Sequence, residues 1–364
     1  MSEKELFDEV TIGNLKLSNR IVMAPMTRNR AAEGNVPQAL NAEYYRQRAS
    51  AGLIITEASQ VSPEGVGYPA TPGIHNQQQV DGWKMVTDAV HDEGGRIILQ
   101  LWYCGRISHP DLLPDNQIPV APSAIRPEGE AVTFDGMKAF VEPRALTIDE
   151  IKDIVNQYRD AAENAKQAGF DGIEVHAANG YLIDQFLRDG SNHRSDEYGG
   201  SVENRMRLLN EVLDVVSEVW ASKSIGVRLT PENSFNSMSD SDPQSHFEYF
   251  IKQLNKRDLA YIHLLEGDMM SESREVDYRA LRDAYDGIYM ANNGYDKQRA
   301  QTALANGDCD LVAIGVPFLA NPDLVYRYKN DLPLNEADQA TFYGGDETGY
   351  TDYPFAHKEV TETA

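Results

Sequence analysis

Cysteine is nearly absent from this chain, with Cys104 and Cys309 the two copies among 364 residues. So far apart in sequence, they supply neither a disulfide framework nor a zinc-ligand spacing, and both read as small buried hydrophobes. Long apolar runs are missing too: none approaches the ~20 residues that a membrane span requires. The opening Met-Ser-Glu-Lys-Glu and the residues after it form no stretch of signal-peptide character, so a cytoplasmic protein without membrane contact is expected. Positive charge is scarce, 33 Lys and Arg against 57 Asp and Glu, for a formal net charge of −24. No basic stripe offsets this excess, which argues against a nucleic-acid partner. The acidic surface reads either as a solvated, self-repelling coat or as adaptation to high salt. Neither bears on the chemistry.

What is present is a repeat of short apolar runs: Ile21–Ala24, Leu53–Thr56, Ile97–Leu101, Gly172–Val175, Ile225–Leu229, Tyr261–Leu265, Ile288–Ala291 and Leu311–Ile314. Continuous apolar runs of this length read as strands covered on both faces. Amphipathic stretches at Asp81–Glu93, Ile148–Ala168 and Val202–Trp220 lie between them. Eight βα units predict a closed (β/α)₈ TIM barrel. A doubly wound sheet would carry a Gly-rich turn after its first strand, where this chain has Ala24-Pro25-Met26-Thr27-Arg28. Residues 1–355 are expected to form one barrel domain, and 356–364 a polar, frayed tail. Two segments depart from the repeat. Leu6–Leu17 reads as a β-hairpin around Gly13-Asn14 that plugs the barrel's floor. Gly105–Arg144, after the third strand, is too long for a plain connection and is expected to be a lid.

Barrel chemistry sits at the C-terminal ends of the strands. Thr27, Gln100 and Arg228 stand there, and together they suit the polar edge of a flat heteroaromatic ring. The threonine and glutamine can pair with its carbonyl and N–H groups, and the arginine can neutralise charge that appears on reduction. The fourth strand runs into His176-Ala-Ala-Asn179-Gly-Tyr181. His176 and Asn179 can donate to one oxyanion or carbonyl oxygen, and Tyr181 can act as a general acid. Taken alone, the motif is weak and a buried structural histidine fits it better. Asn293-Gly294 and Gly315-Val316, after the last two strands, are placed to cradle a phosphate with backbone N–H groups.

Several long segments resemble the Old Yellow Enzyme family, its bacterial members in particular. They are NRIVMAPMTR from Asn19 to Arg28, Gln100-Leu-Trp102, EVHAAN from Glu174 to Asn179, DEYGGSVENR from Asp196 to Arg205, ANPDL from Ala320 to Leu324, and FYGG from Phe342 to Gly345. The resemblance implies non-covalent flavin mononucleotide (FMN) reduced by NADPH or NADH, then hydride transfer to an electron-poor alkene. By position, Pro25, Met26, Thr27, Ala58, Gln100 and Arg228 would hold the flavin ring, and Asn293, Gly294, Gly315 and Val316 its phosphate. His176 and Asn179 would grip the substrate's carbonyl or nitro oxygen, Tyr181 would protonate the α-carbon, and Tyr68, Trp102 and Tyr343 would line the substrate space. One departure stands out: the family's phosphate-binding arginine after Gly315 is Val316 here. Reduction of nitrate esters or nitroaromatics on the same scaffold is the alternative within the class. A metal-dependent barrel hydrolase is the reading outside it, weakened because no strand end pairs two histidines. No motif sets the oligomeric state.

Overall fold

The computed structural model describes residues 4–271 and 273–356. The expected strands form as Ile21–Met23 (β1), Leu53–Ile55 (β2), Ile97–Trp102 (β3), Ile173–Ala177 (β4), Ile225–Leu229 (β5), Tyr261–Leu265 (β6), Tyr289–Asn292 (β7) and Leu311–Ile314 (β8). Each pairs in parallel with the next. Strand β8 returns onto β1 with Val312 opposite Ile21, and β3 meets β4 with Gln100 opposite Glu174. The ladder therefore closes into a (β/α)₈ barrel, as the repeat predicted.

Alternation along the strands sorts the side chains. Ile97, Leu99, Ile173, Val175, Ile225, Val227, Ile262 and Leu264 point outward and join the helices in one large core. Val22, Leu53, Ile55, Ile98, Tyr261, Met290 and Leu311 point inward and fill the lower barrel. The antiparallel hairpin Val10–Ile12 and Leu15–Leu17 turns at Gly13-Asn14 and adds Ile12 and Leu17 to that inner cluster. The plug thus forms where expected. Gly13 is required there: its φ is +53°, and a Cβ would lie 1.8 Å from the Lys223 carbonyl oxygen.

Three boundaries differ from the sequence reading. The helix expected from Asp81 begins at Gln77, because the Asn76 side chain caps it by accepting from Gln79 N. The helix expected over Val202–Trp220 is two, Val202–Arg205 and Arg207–Val219. The first is anchored separately, with buried Arg205 donating to Leu187 O at 2.9 Å and Gly200 O at 3.2 Å. The Gly105–Arg144 excursion is no bare loop. It holds a β-hairpin, Glu130–Thr133 with Gly136–Ala139, and a short ladder between Val120–Ala121 and Arg144–Ala145. Both cysteines are buried. No helix among the described residues is long and apolar enough to cross a membrane. Apart from Ala356, the tail expected at 356–364 lies outside the described residues.

Gly226 in β5 shows how tightly the inner layer is fitted, since a Cβ there would lie 2.2 Å from Tyr261 Cζ. Gly226→Ala should therefore destabilise the fold by about 1–3 kcal/mol through overpacking. Equilibrium chemical denaturation checks this; an unchanged midpoint would mean that the Tyr261 ring moves aside freely.

Candidate active site

The same alternation that packs the lower barrel turns polar groups inward near its mouth. Gln100 and Trp102 follow Ile98 on β3, His176 follows Glu174 on β4, and Arg228 follows Gly226 on β5. On β6, His263 follows Tyr261, and on β7 Asn292 follows Met290. Register places His176 beside Arg228, and Arg228 beside His263. All of these side chains are buried.

Four rings gather at the upper edge of β3 and β4. Tyr68 and Trp102 are near-parallel at 5.7 Å, and Trp102 and His176 at 6.3 Å. Tyr181 stands edge-on to all three, its ring 4.8 Å from Trp102, 5.1 Å from His176 and 6.4 Å from Tyr68. The Tyr181 and Tyr68 hydroxyls share a hydrogen bond of 3.1 Å. Burial, reinforced by Tyr68, raises the Tyr181 phenol well above its ordinary value and keeps it protonated. Burial, then Arg228 and His263, push His176 well below the usual imidazole range, so the ring is neutral at neutral pH. From the excursion, Ala131 and Phe140 pack with Ala58, Trp102, Cys104, Ile107 and Tyr181. The excursion is thus the apolar wall of the mouth, as its length suggested. Tyr343 remains apart from the ring group, 69% exposed at the rim. Its segment is held by buried Arg28, which donates to Phe342 O at 2.9 Å and Gly349 O at 3.0 Å, while Gly344 N donates back to Arg28 O.

Asn179 owes its position to two loops. Its backbone is left-handed at φ +56°, and its N–H donates to Thr230 Oγ1 at 2.8 Å. Asn236 Nδ2 donates to Asn179 O at 2.8 Å, and a Cβ on Gly180 would meet Met238 and Asn236 within 2.8 Å. Beneath lies Asp184, fully buried, which accepts from Gly180 N, Thr230 Oγ1 and Arg188 Nε. Sequence reasoning missed Asp184, Arg188, Thr230 and Asn236. The i,i+4 spacing of Asp184 and Arg188 was a visible signal, but on an exposed helix face it would have meant little.

On the opposite side, Pro25, Met26 and Thr27 follow β1 half-buried. The next residue, Arg28, donates its backbone N–H to Glu57 Oε2 at 3.2 Å, which ties this loop to Ala58 after β2. Arg228 Nη2 donates to Asn292 Oδ1 at 3.0 Å, and Asn292 Nδ2 to Ala313 O at 2.8 Å, linking β5, β7 and β8. Asn293 and Gly294 both have positive φ, 91° and 68°. Gly315 lies against Met26, whose Sδ would be 3.3 Å from an added Cβ. Val316 is 51% exposed at the start of a short helix, Val316–Ala320. Nearby, Arg299 stacks on Tyr295 at 4.1 Å and donates to Asn293 O at 3.1 Å and Gly294 O at 3.0 Å.

This mouth fits a flavin. Buried Arg228 Nε, His176 Nδ1 and Trp102 Nε1 have no partner among the described residues, so a ligand in the mouth would satisfy them. Paired strands β7 and β8 present Asn293-Gly294 and Gly315-Val316 side by side, where phosphates bind in many such barrels. Comparisons with known proteins agree. Residues 5–335 match the model of the NADH:flavin oxidoreductase / NADH oxidase family. A probable flavin mononucleotide-dependent alkene reductase of Leishmania infantum is 46% identical over 349 residues, 94% of this chain and 95% of the relative. The structure of morphinone reductase in complex with tetrahydroNAD is 48% identical with a TM-score of 0.93, covering 97% of this chain and 98% of that one. The old yellow enzyme homologue from Zymomonas mobilis is 43% identical with a TM-score of 0.94, covering 96% and 99%. Barrel, site and relatives lead to one conclusion: the chain belongs to the NADH:flavin oxidoreductase / NADH oxidase family and is an FMN-dependent oxidoreductase of the Old Yellow Enzyme type.

Proposed function

We propose that this protein reduces the C=C bond of α,β-unsaturated carbonyl or nitro compounds, with NADPH or NADH as reductant and Tyr181 as proton donor. When bound, flavin mononucleotide supplies the hydride that adds to the β-carbon. The observation that carries the reading is the edge-on placement of the protonated Tyr181 phenol beside the neutral His176 imidazole, 5.1 Å between ring centroids. His176 and Asn179 donate to the substrate oxygen, drawing electron density from the alkene and stabilising the enolate or nitronate as it forms. Tyr181 then gives its proton to the α-carbon, and its hydrogen bond to Tyr68 opens a path for replacement. Trp102, Ala131 and Phe140 exclude water from this exchange.

The purified protein supplied with FMN should be yellow, bleach on anaerobic addition of NADPH or NADH, and recover its colour with cyclohexenone. Bleaching without recovery would leave a flavin-binding protein that is no ene-reductase. Tyr181→Phe should leave flavin reduction by the nicotinamide unchanged and slow alkene reduction by about 10²–10⁴-fold. Stopped-flow measurement of the two half-reactions separates them; a loss in the first would give Tyr181 a different role.

Val316 places an apolar side chain where the resemblance implies a phosphate-binding arginine, leaving backbone amides of Asn293, Gly294, Gly315 and Val316 to hold the phosphate. A charge-assisted contact restored by Val316→Arg should tighten FMN by about tenfold to a hundredfold. Fluorescence titration of the apoprotein reads the dissociation constant. Equal values for both proteins would mean that the phosphate gains nothing from a cation at this position.

A further inference from the structure

Below the mouth lies a carboxylate that the proposed chemistry does not use. Glu174, the second residue of β4, is fully buried. Its Oε1 accepts from Gln100 Nε2 at 2.7 Å, and its Oε2 from Tyr261 OH at 3.0 Å and His263 Nδ1 at 2.9 Å. Burial works to raise its pKa, but His263, Arg228 and Gln100 outweigh it and hold Glu174 below the ordinary carboxylate value. His263 is itself pushed down by burial, so it donates as a neutral imidazole. Glu174 and Arg228, two residues apart in register on neighbouring strands, then carry opposite formal charges.

An ionised carboxylate accepts hydrogen bonds and cannot donate one. Gln100 must therefore turn its NH₂ toward Glu174, which leaves the carbonyl Oε1 as the free end of the carboxamide. Among the described residues Arg228 donates to Asn292, and its Nε has no partner. Its positive charge is balanced by Glu174 from within the barrel.

We infer that Glu174 is a positioning residue for the flavin site, fixing Gln100 as a hydrogen-bond acceptor toward the ring and setting the net charge that Arg228 presents to it. The inference rests on the flavin reading above. Two consequences follow from elementary electrostatics. Without the negative charge, Arg228 is uncompensated and favours the more anionic, reduced flavin. Without a purely accepting neighbour, Gln100 is free to reverse its amide and offer a donor to the ring's imide N–H.

The test compares Glu174→Gln and Glu174→Asp with the parent enzyme by spectroelectrochemical titration of the bound flavin and by fluorescence titration of the apoproteins with FMN. Glu174→Gln should shift the midpoint potential to more positive values and raise the FMN dissociation constant about tenfold. Glu174→Asp keeps the charge but draws the carboxylate back from Gln100; it should retain the potential and lose affinity. Should Glu174→Gln fail to fold, the Asp variant decides alone: weakened FMN at parental potential supports the inference, and parental affinity overturns it. Equal shifts in potential for both variants, or no shift in either, would also overturn it. A parent enzyme that takes up no FMN would instead defeat the flavin reading itself.

Discussion

Closure of the parallel ladder is the constraint on which the remaining architecture depends. With β8 paired to β1 and β3 to β4, the ring of eight strands has no open edge, and every second side chain is committed to a narrow interior. Low in that interior the commitment is met by Val22, Leu53, Ile98, Met290 and Leu311, sealed by Ile12 and Leu17 of the plug. Higher up the same positions carry Gln100, Glu174, His176, Arg228, His263 and Asn292. These groups cannot reach bulk water, so they must satisfy one another or a ligand.

They divide along that line. Glu174 is saturated by Gln100, Tyr261 and His263, and Asn292 by Arg228 and Ala313. Among the described residues Arg228 Nε, His176 Nδ1, His263 Nε2 and Trp102 Nε1 are left over, and register sets Arg228 beside both His176 and His263. A buried polar group without a partner costs on the order of 1–3 kcal/mol. A site that concentrates such groups in one layer is preorganised for a ligand that meets them, which is how a protein orients a flavin whose redox chemistry it does not itself perform.

The loops complete the site by packing. The excursion after β3 contributes Ala131 and Phe140 to the ring group of Trp102 and Tyr181. The Asp184–Arg188 pair, sealed from solvent, joins the β4 and β5 loops and holds Asn179 left-handed. Arg28 draws in the segment that carries Tyr343. The Asp184–Arg188 pair is itself local, but its bonds to Thr230 and the other contacts link residues distant in sequence, so the mouth is shaped by elements that no local pattern connects.

Hydrophobic runs and their spacing were enough to read the eight strands, the floor hairpin at Gly13-Asn14 and the lid-like excursion, because burial on both faces of a short strand leaves a direct mark in composition. Motif resemblance added roles for His176, Asn179, Tyr181, Gln100 and Arg228. Other features were decided only in three dimensions. The early start at Gln77 depended on a cap, and the break at Met206 on anchoring of Arg205 to Leu187 and Gly200. Glu174 and His263 gain their partners only through register, which sets Glu174 opposite Gln100 and His263 beside Arg228. Periodicity determines which residues face inward, whereas partners, protonation and donor direction depend on which strand lies alongside, and that is settled only when the barrel closes.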